Sequence, residues 1–300
     1  MTPTSRRPGR TAMVAAPFLV LANFALAAGP APSDAVVGRA PSADGADIVY
    51  TARGAAGVAL VLVHGGLADR SFWNPQLEGL ADRFRVVALD LGGHGESGRR
   101  ATYTIAGWAQ DVCAVVNALH LDRVVLVGNS LGGPVALEAA RLLPGRVLGV
   151  VGVDTLHDLT RTMDKATAHA QAEALRNDFA AACRGMVNQL FHPGAEAELH
   201  SWAEQRMCSP SLKDVAVSMQ ESFGGYDTAA AARAARVPIR AINGDLWPTN
   251  TEVNRTVVPD FDVVVMKGCG HYPMLERPAE FNRILDETVR AIEQAAKSAG

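Results

Sequence analysis

The sequence predicts an α/β fold: a mostly parallel central sheet with helices on both faces and a helical insertion. Three observations predict it. Short β-branched apolar runs alternate with helical patterns. Those runs are bounded by turn residues, which suits strands buried on both faces. The alternation stops once, from residue 155 to 236, and then resumes. With 300 residues, 48% of them hydrophobic and 20% charged, the chain can bury a sizeable core.

The elements follow in order. "MTPTSRRPGR" carries three arginines and no acid, "TAMVAAPFLVLANFA" is apolar, and "ALAAGPAPS" offers small residues before a cut after Ala27. That order is a secretory signal peptide over residues 1–27, so the mature chain is expected to be secreted or periplasmic. The alternative is an uncleaved membrane anchor, for which the apolar run is short and interrupted by Pro17. Residues 28–45, rich in Ala, Pro, Ser and Gly, read as a linker. Residues 46–154 and 237–300 form the core. Its apolar runs are "DIVYTA", "GVALVLVHGG", "RFRVVALDLGGHG", "DRVVLVGNS", "GRVLGVVGVD", "VPIRAING" and "FDVVVMKGCGH", closed by the amphipathic "AEFNRILDETVRAIEQAA". Residues 155–236 hold only helical patterns and form the insertion.

The net charge is −3, and no basic block lies beyond the first ten residues, which argues against a nucleic-acid partner. Once the signal is cut, no stable membrane association is expected, and the sequence leaves the oligomeric state open. No pair among Cys113, Cys183, Cys208 and Cys269 has CxxC spacing. In an oxidising compartment Cys183 and Cys208 are the better disulfide candidates. Cys113 reads as a buried apolar residue, and Cys269 as a packing neighbour of His271. No HExxH or Cys/His cluster supports a metal, and no cofactor is expected.

In open α/β sheets ligands gather at the carboxyl ends of the strands. The polar residues there are His64, Asp90, Ser130, Asp154, Asp245 and His271. Ser130 lies in Gly-x-Ser-x-Gly directly after "VVLV" and before "PVALEAA". Gly128 and Gly132 remove the side chains that a sharp strand-to-helix turn would make collide, which pushes the serine oxygen out as a nucleophile. A serine needs a base, a group to orient that base, and donors for the developing oxyanion. His271 is the base candidate. The backbone amides of Leu131 and Gly66 are the oxyanion candidates, with Leu67 next to Gly66. His64 and His94 read as braces of their loops. The acid is Asp245, after "IRAI", or alternatively Asp154, at the end of the preceding strand. Trp202, Met219 and Phe223 of the insertion, with Met207 and Tyr226, are candidate pocket liners or simply core of the insertion.

These blocks resemble the α/β-hydrolase family. "VLVHGGLADRSFWNPQLEGLADRFRVVALDLGGHGESG" is similar to its oxyanion-loop block, with the Asp-x-x-Gly-x-Gly-x-Ser turn at Asp90–Ser97. "VGNSLGG" is similar to its nucleophile elbow, and "GCGHYPMLERPAEFN" to its histidine block. The likeness covers about residues 46–295 and places the insertion where the family carries a cap. It implies Ser130 and His271 as catalytic residues and the amides of Gly66 and Leu131 as the oxyanion hole. The family's usual acid position falls on Trp247, so Asp245 serves only if the loop is shortened; otherwise the acid is Asp154. The resulting expectation is an exported serine hydrolase that cleaves a small or medium carboxylic ester, a small-molecule substrate, through an acyl-enzyme. A carbon–carbon bond hydrolase of the meta-cleavage-product type, suggested by "GNS", and a non-catalytic binding protein on the same fold are the alternatives.

Overall fold

A computed structural model describes Met1, residues 35–54 and residues 57–299. Apart from Met1, the expected signal peptide lies outside these residues. Among them, eight strands form one sheet: Val36–Pro41 (β1), Asp47–Arg53 (β2), Ala59–Val63 (β3), Arg85–Leu89 (β4), Val124–Asn129 (β5), Val147–Val153 (β6), Ile239–Asn243 (β7) and Asp262–Val265 (β8). The order is β1-β2-β4-β3-β5-β6-β7-β8. The first two strands pair antiparallel, as do β2 and β4, and every other neighbour is parallel. β3 and β5 are buried at every position. Covered on both faces, they need apolar side chains throughout, so they read as unbroken runs rather than alternating ones. Val61 is paired with Val87 on one side and Leu126 on the other, which brings the carboxyl ends of β3, β4 and β5 level.

One boundary differs from the sequence reading. Residues 36–41 lie in the expected linker, yet they form the edge strand β1. The glycine and proline that suggested a linker have local reasons. Gly38 lies under the Tyr50 ring, where a Cβ would sit 2.4 Å from ring atoms. Pro41 ends an edge strand, where a missing N–H is tolerated.

The helices are Asn74–Gly79 (α1), Ile105–Ala118 (α2), Gly132–Leu142 (α3), Lys165–Asn177 (α4), Phe179–Asn188 (α5), Ala197–Met207 (α6), Lys213–Phe223 (α7), Thr228–Ala235 (α8), Thr251–Val257 (α9), Pro273–Glu276 (α10) and Pro278–Ala299 (α11). α2 packs on α3, while α1 and α10 pack on α11, giving a layer on each face of the sheet. α11 buries Phe281, Leu285, Val289 and Ile292, one apolar stripe at helical spacing. No helix among the described residues is long and apolar enough to cross a membrane.

Between β6 and β7 the described chain holds helices α4 to α8 and no strand, only an isolated bridge between Met163 and Gly224. Asp164, Asp178 and Asp227 cap α4, α5 and α8 by accepting from backbone amides of the first turn. α4 packs on α5 and α7, and α8 packs on α3 of the core. Cys183 of α5 and Cys208 at the end of α6 form a disulfide across 25 residues. Closing a loop of that length removes chain entropy equivalent to about 3 kcal/mol from the unfolded state. The Cys183→Ala/Cys208→Ala variant is therefore expected to melt roughly 5–10 °C lower than the parent. An unchanged melting temperature in calorimetry would show that the bridge carries no such load.

Candidate active site

The turn between β5 and α3 is as tight as the glycines imply. Ser130 has φ +51°, a left-handed conformation that non-glycine residues rarely adopt. A Cβ on Gly128 would lie 2.1 Å from the Gly132 carbonyl oxygen, and one on Gly132 would lie 2.4 Å from that of Val63. Neither position admits a side chain. The strained serine is held by its own backbone: its N–H donates to Val153 O at 3.2 Å, and its carbonyl accepts from Gly133 N at 2.9 Å. The side chain is thereby left at the carboxyl end of the sheet, ahead of the amino end of α3.

His271 stands opposite on the loop after β8. Its Nδ1 lies 2.5 Å from Oδ2 of Asp154, a residue 1% exposed at the end of β6. Asp154 also has a left-handed backbone, φ +44°, and its Oδ1 accepts from Gly244 N at 2.9 Å. Burial pushes its carboxyl pKa up, but the nearby His157 and the hydrogen-bonded His271 outweigh that and hold it well below the usual carboxylate range.

Asp245, the preferred acid of the sequence reading, is not at this position. Its carboxylate is 35% exposed, accepts from Gly268 N at 2.9 Å, and lies 4.0 Å from His192 Nε2. The reason is close backbone packing. A Cβ on Gly244 would meet the Cys269 and Gly270 carbonyl oxygens at 2.4 and 2.3 Å, so β7 runs hard against the histidine loop. Asp245, one residue later, stays on this loop through its N–H, which donates to Cys269 O at 3.1 Å, and its carboxylate turns to the Gly268 amide. Glu276 braces its other side, accepting from Gly270 N at 2.9 Å and Tyr272 N at 3.3 Å. Trp247, at the family's usual acid position, packs edge-on to His271, with ring centroids 5.5 Å apart.

The loop after β3 supplies the amide facing Leu131. Leu67 N donates to His94 Nε2 at 3.3 Å, so it is occupied. Among the described residues, the amides of Gly66 and Leu131 have no acceptor. A Cβ on Gly66 would sit 2.1 Å from Met219 Sδ, so the thioether of the insertion packs directly on this glycine. His64 is fully buried, with Nδ1 donating to Gly65 O at 2.7 Å and Nε2 accepting from Leu91 N at 3.0 Å. Burial lowers the pKa of both His64 and His94 and favours their neutral form. Both are braces of this loop. Asp90 braces the neighbouring turn by accepting from the amides of Arg70 and Glu96 at 2.7 and 2.9 Å.

Ser130, His271 and Gly66 face an inner chamber of about 260 Å³. Met163, Met186, Met207, Met219 and Phe223 line it, so Met219 and Phe223 stand where the sequence reading expected liners. Trp202 does not. It packs on Phe72, centroids 4.6 Å apart, with the Arg206 guanidinium over its ring. An apolar residue on α6 can face either the chamber or the core, and here Trp202 anchors the helix instead. A second, more polar chamber of about 940 Å³ shares Met163, Gln171 and Phe223 with the first. Among the described residues no cluster of three or more His, Cys, Asp or Glu is placed to hold a metal.

Two contacts were not legible in the sequence. Asn129, next to the nucleophile candidate, donates from Nδ2 to Val153 O at 2.9 Å and His271 O at 3.0 Å, tying the ends of β5 and β6 to the histidine loop. Leu190 O, after α5, accepts from His271 N at 2.7 Å and links the insertion to the histidine.

Comparison with known proteins agrees with this fold. An uncharacterized protein of Mycobacterium tuberculosis is 42% identical over 89 residues, 29% of this chain but only 26% of that protein, so the chain spans about a quarter of that relative. The pimeloyl-(acyl-carrier protein) methyl ester esterase of Nitrosospira multiformis is 26% identical over 240 residues, covering 74% of this chain and 90% of that enzyme. Among solved structures, a thermophilic esterase from Thermogutta terrifontis is similar with a TM-score of 0.73 and 25% identity, covering 86% of this chain and 99% of that one. The family model described as "Alpha/beta hydrolase family" matches residues 60–284. With the sheet order, the elbow and the histidine loop all in place, the chain belongs to the alpha/beta hydrolase family.

Proposed function

We propose that the protein is an exported serine hydrolase of carboxylic esters, with Ser130 as nucleophile, His271 as base and Asp154 as the acid. The observation that carries this reading is the 2.5 Å contact between His271 Nδ1 and Asp154 Oδ2 beside a strained Ser130. In the first step Ser130 Oγ attacks the ester carbonyl and His271 Nε2 takes its proton. The negative charge that develops on the carbonyl oxygen is received by the amides of Gly66 and Leu131. His271 then protonates the departing alcohol. Water hydrolyses the acyl-serine with the same proton movements in reverse order. Asp154 keeps the Nδ1–H tautomer and faces the imidazolium that forms.

The two chambers suggest how an ester would lie. The inner chamber is apolar and suits a short or medium acyl chain. The outer, polar chamber suits the alcohol portion. The direct test is labelling of purified protein by a fluorophosphonate probe, with p-nitrophenyl acetate and butyrate as substrates. Labelling at Ser130 with turnover of both esters is the expected result. A folded protein that is neither labelled nor active would overturn the assignment. If instead a vinylogous diketone is cleaved and the esters are not, the carbon–carbon reading prevails.

Export rests on the amino-terminal sequence and is supported by the disulfide, a bond that persists in oxidising compartments. A mature protein beginning at Ala28 in the periplasm or medium is expected by mass spectrometry. Recovery of the uncut chain in the cytoplasm would contradict it.

A further inference from the structure

We propose that His157 is a second histidine on Asp154, a positioning residue that holds the free oxygen of the carboxylate while His271 uses the other. The proposal rests on the triad reading above, and the geometry behind it is separate. His157 follows the acid by three residues and is 23% exposed. Its Nε2 lies 3.7 Å from Asp154 Oδ1, and that nitrogen is buried with no hydrogen-bond partner.

The tautomer follows from the neighbours. Asn243 Nδ2 donates to Thr249 Oγ1 at 2.8 Å, so the threonine oxygen is already accepting. Its hydroxyl hydrogen is free to point at His157 Nδ1, 3.1 Å away. The other hydrogen of Asn243 Nδ2 goes to Thr155 O at 3.2 Å, so the threonine hydroxyl is the donor left for Nδ1. With the Thr249 hydroxyl donating to it, Nδ1 is the acceptor, so the ring proton sits on Nε2. That N–H is a buried donor whose nearest carboxylate oxygen is Asp154 Oδ1. Leaving such a donor unpaired costs about 1–3 kcal/mol. A shift of less than about 1 Å would bring the pair within ordinary hydrogen-bond range.

The consequence is electrostatic. Oδ1 already accepts from Gly244 N. With His157 added, the plane of the carboxylate is fixed and part of its charge is drawn away from His271. The charged and titratable groups around His157 are Asp154 itself, His271 beyond it, and Asp158, Arg161 and Asp164 lining the same outer chamber. Removing the Nε2 donor concentrates the carboxylate's charge on His271 and makes its proton harder to lose. The acid limb of kcat/KM therefore moves to higher pH.

Three measurements test this. For His157→Leu we expect the acid limb to rise by roughly 0.5–1 pH unit, a partly compensated hydrogen bond to a charged group. Its plateau kcat should fall about tenfold, equivalent to one such bond, with KM little changed. His157→Gln places an amide nitrogen near the Nε2 position and should restore the acid limb and most of kcat. An unmoved limb in His157→Leu, or equal behaviour of the two variants, overturns the proposal. If neither variant folds, nitrogen-detected NMR of the parent decides. An Nε2–H tautomer for His157 supports the proposal, and an Nδ1–H tautomer refutes it. That spectrum is independent of whether Ser130 is labelled, so failure here is distinguishable from failure of the triad.

Discussion

Asp154→Asn is expected to lower kcat for ester hydrolysis by about four orders of magnitude, while Asp245→Asn leaves it largely intact. The contrast follows from where the two carboxylates stand. Asp154 is buried on His271 Nδ1, whereas Asp245 is partly exposed on Gly268 N. An amide in place of the Asp154 carboxylate can present N–H to Nδ1 and favour the wrong imidazole tautomer. The variant keeps an oxygen for the Gly244 amide, so its fold should survive. Circular dichroism beside the kinetics separates lost chemistry from lost structure. The reverse ranking of the two variants would move the acid back to β7.

The pH dependence of stability has a definite sign. Asp154 has a folded-state pKa depressed below its unfolded one. Its contribution to stability is therefore full above the ordinary carboxylate range and is lost as the pH falls through the folded value. The carboxylate therefore stays ionised well into acid.

Ser130→Ala is the second large effect. It should abolish fluorophosphonate labelling and reduce kcat by at least about four orders of magnitude. The oxyanion amides and the chamber remain, so residual turnover above the uncatalysed rate is expected. The substitution is structurally mild. The elbow is held by the backbone N–H and C=O of residue 130, which alanine retains, and the flanking glycines are untouched. Retained ester hydrolysis in a folded Ser130→Ala protein would remove the nucleophile from the proposal.

The parts legible in sequence were those fixed by local geometry. The glycines around Ser130 announce a turn because the backbone there collides with any Cβ, and the structure shows those collisions. Continuous apolar runs announce β3 and β5 because both faces of those strands are covered. The acid was harder. Asp154 and Asp245 end adjacent strands, and which carboxylate meets His271 is set by contacts with a loop far along the chain. The edge strand β1 was hidden by a composition that suits loops equally well. Trp202 shows the same limit on a helix, where apolar character does not say which neighbour is met. The Asn129 and His157 contacts join residues far apart in the chain, and no spacing rule reports such pairs.

The bond from His271 N to Leu190 O has a consequence for traffic. A lid that swung clear of the sheet would have to break a 2.7 Å backbone bond at the histidine itself. The boundary between the chambers is lined by Met163, Gln171 and Phe223, and the flexible unbranched side chain of Met163 can change rotamer there without that bond breaking.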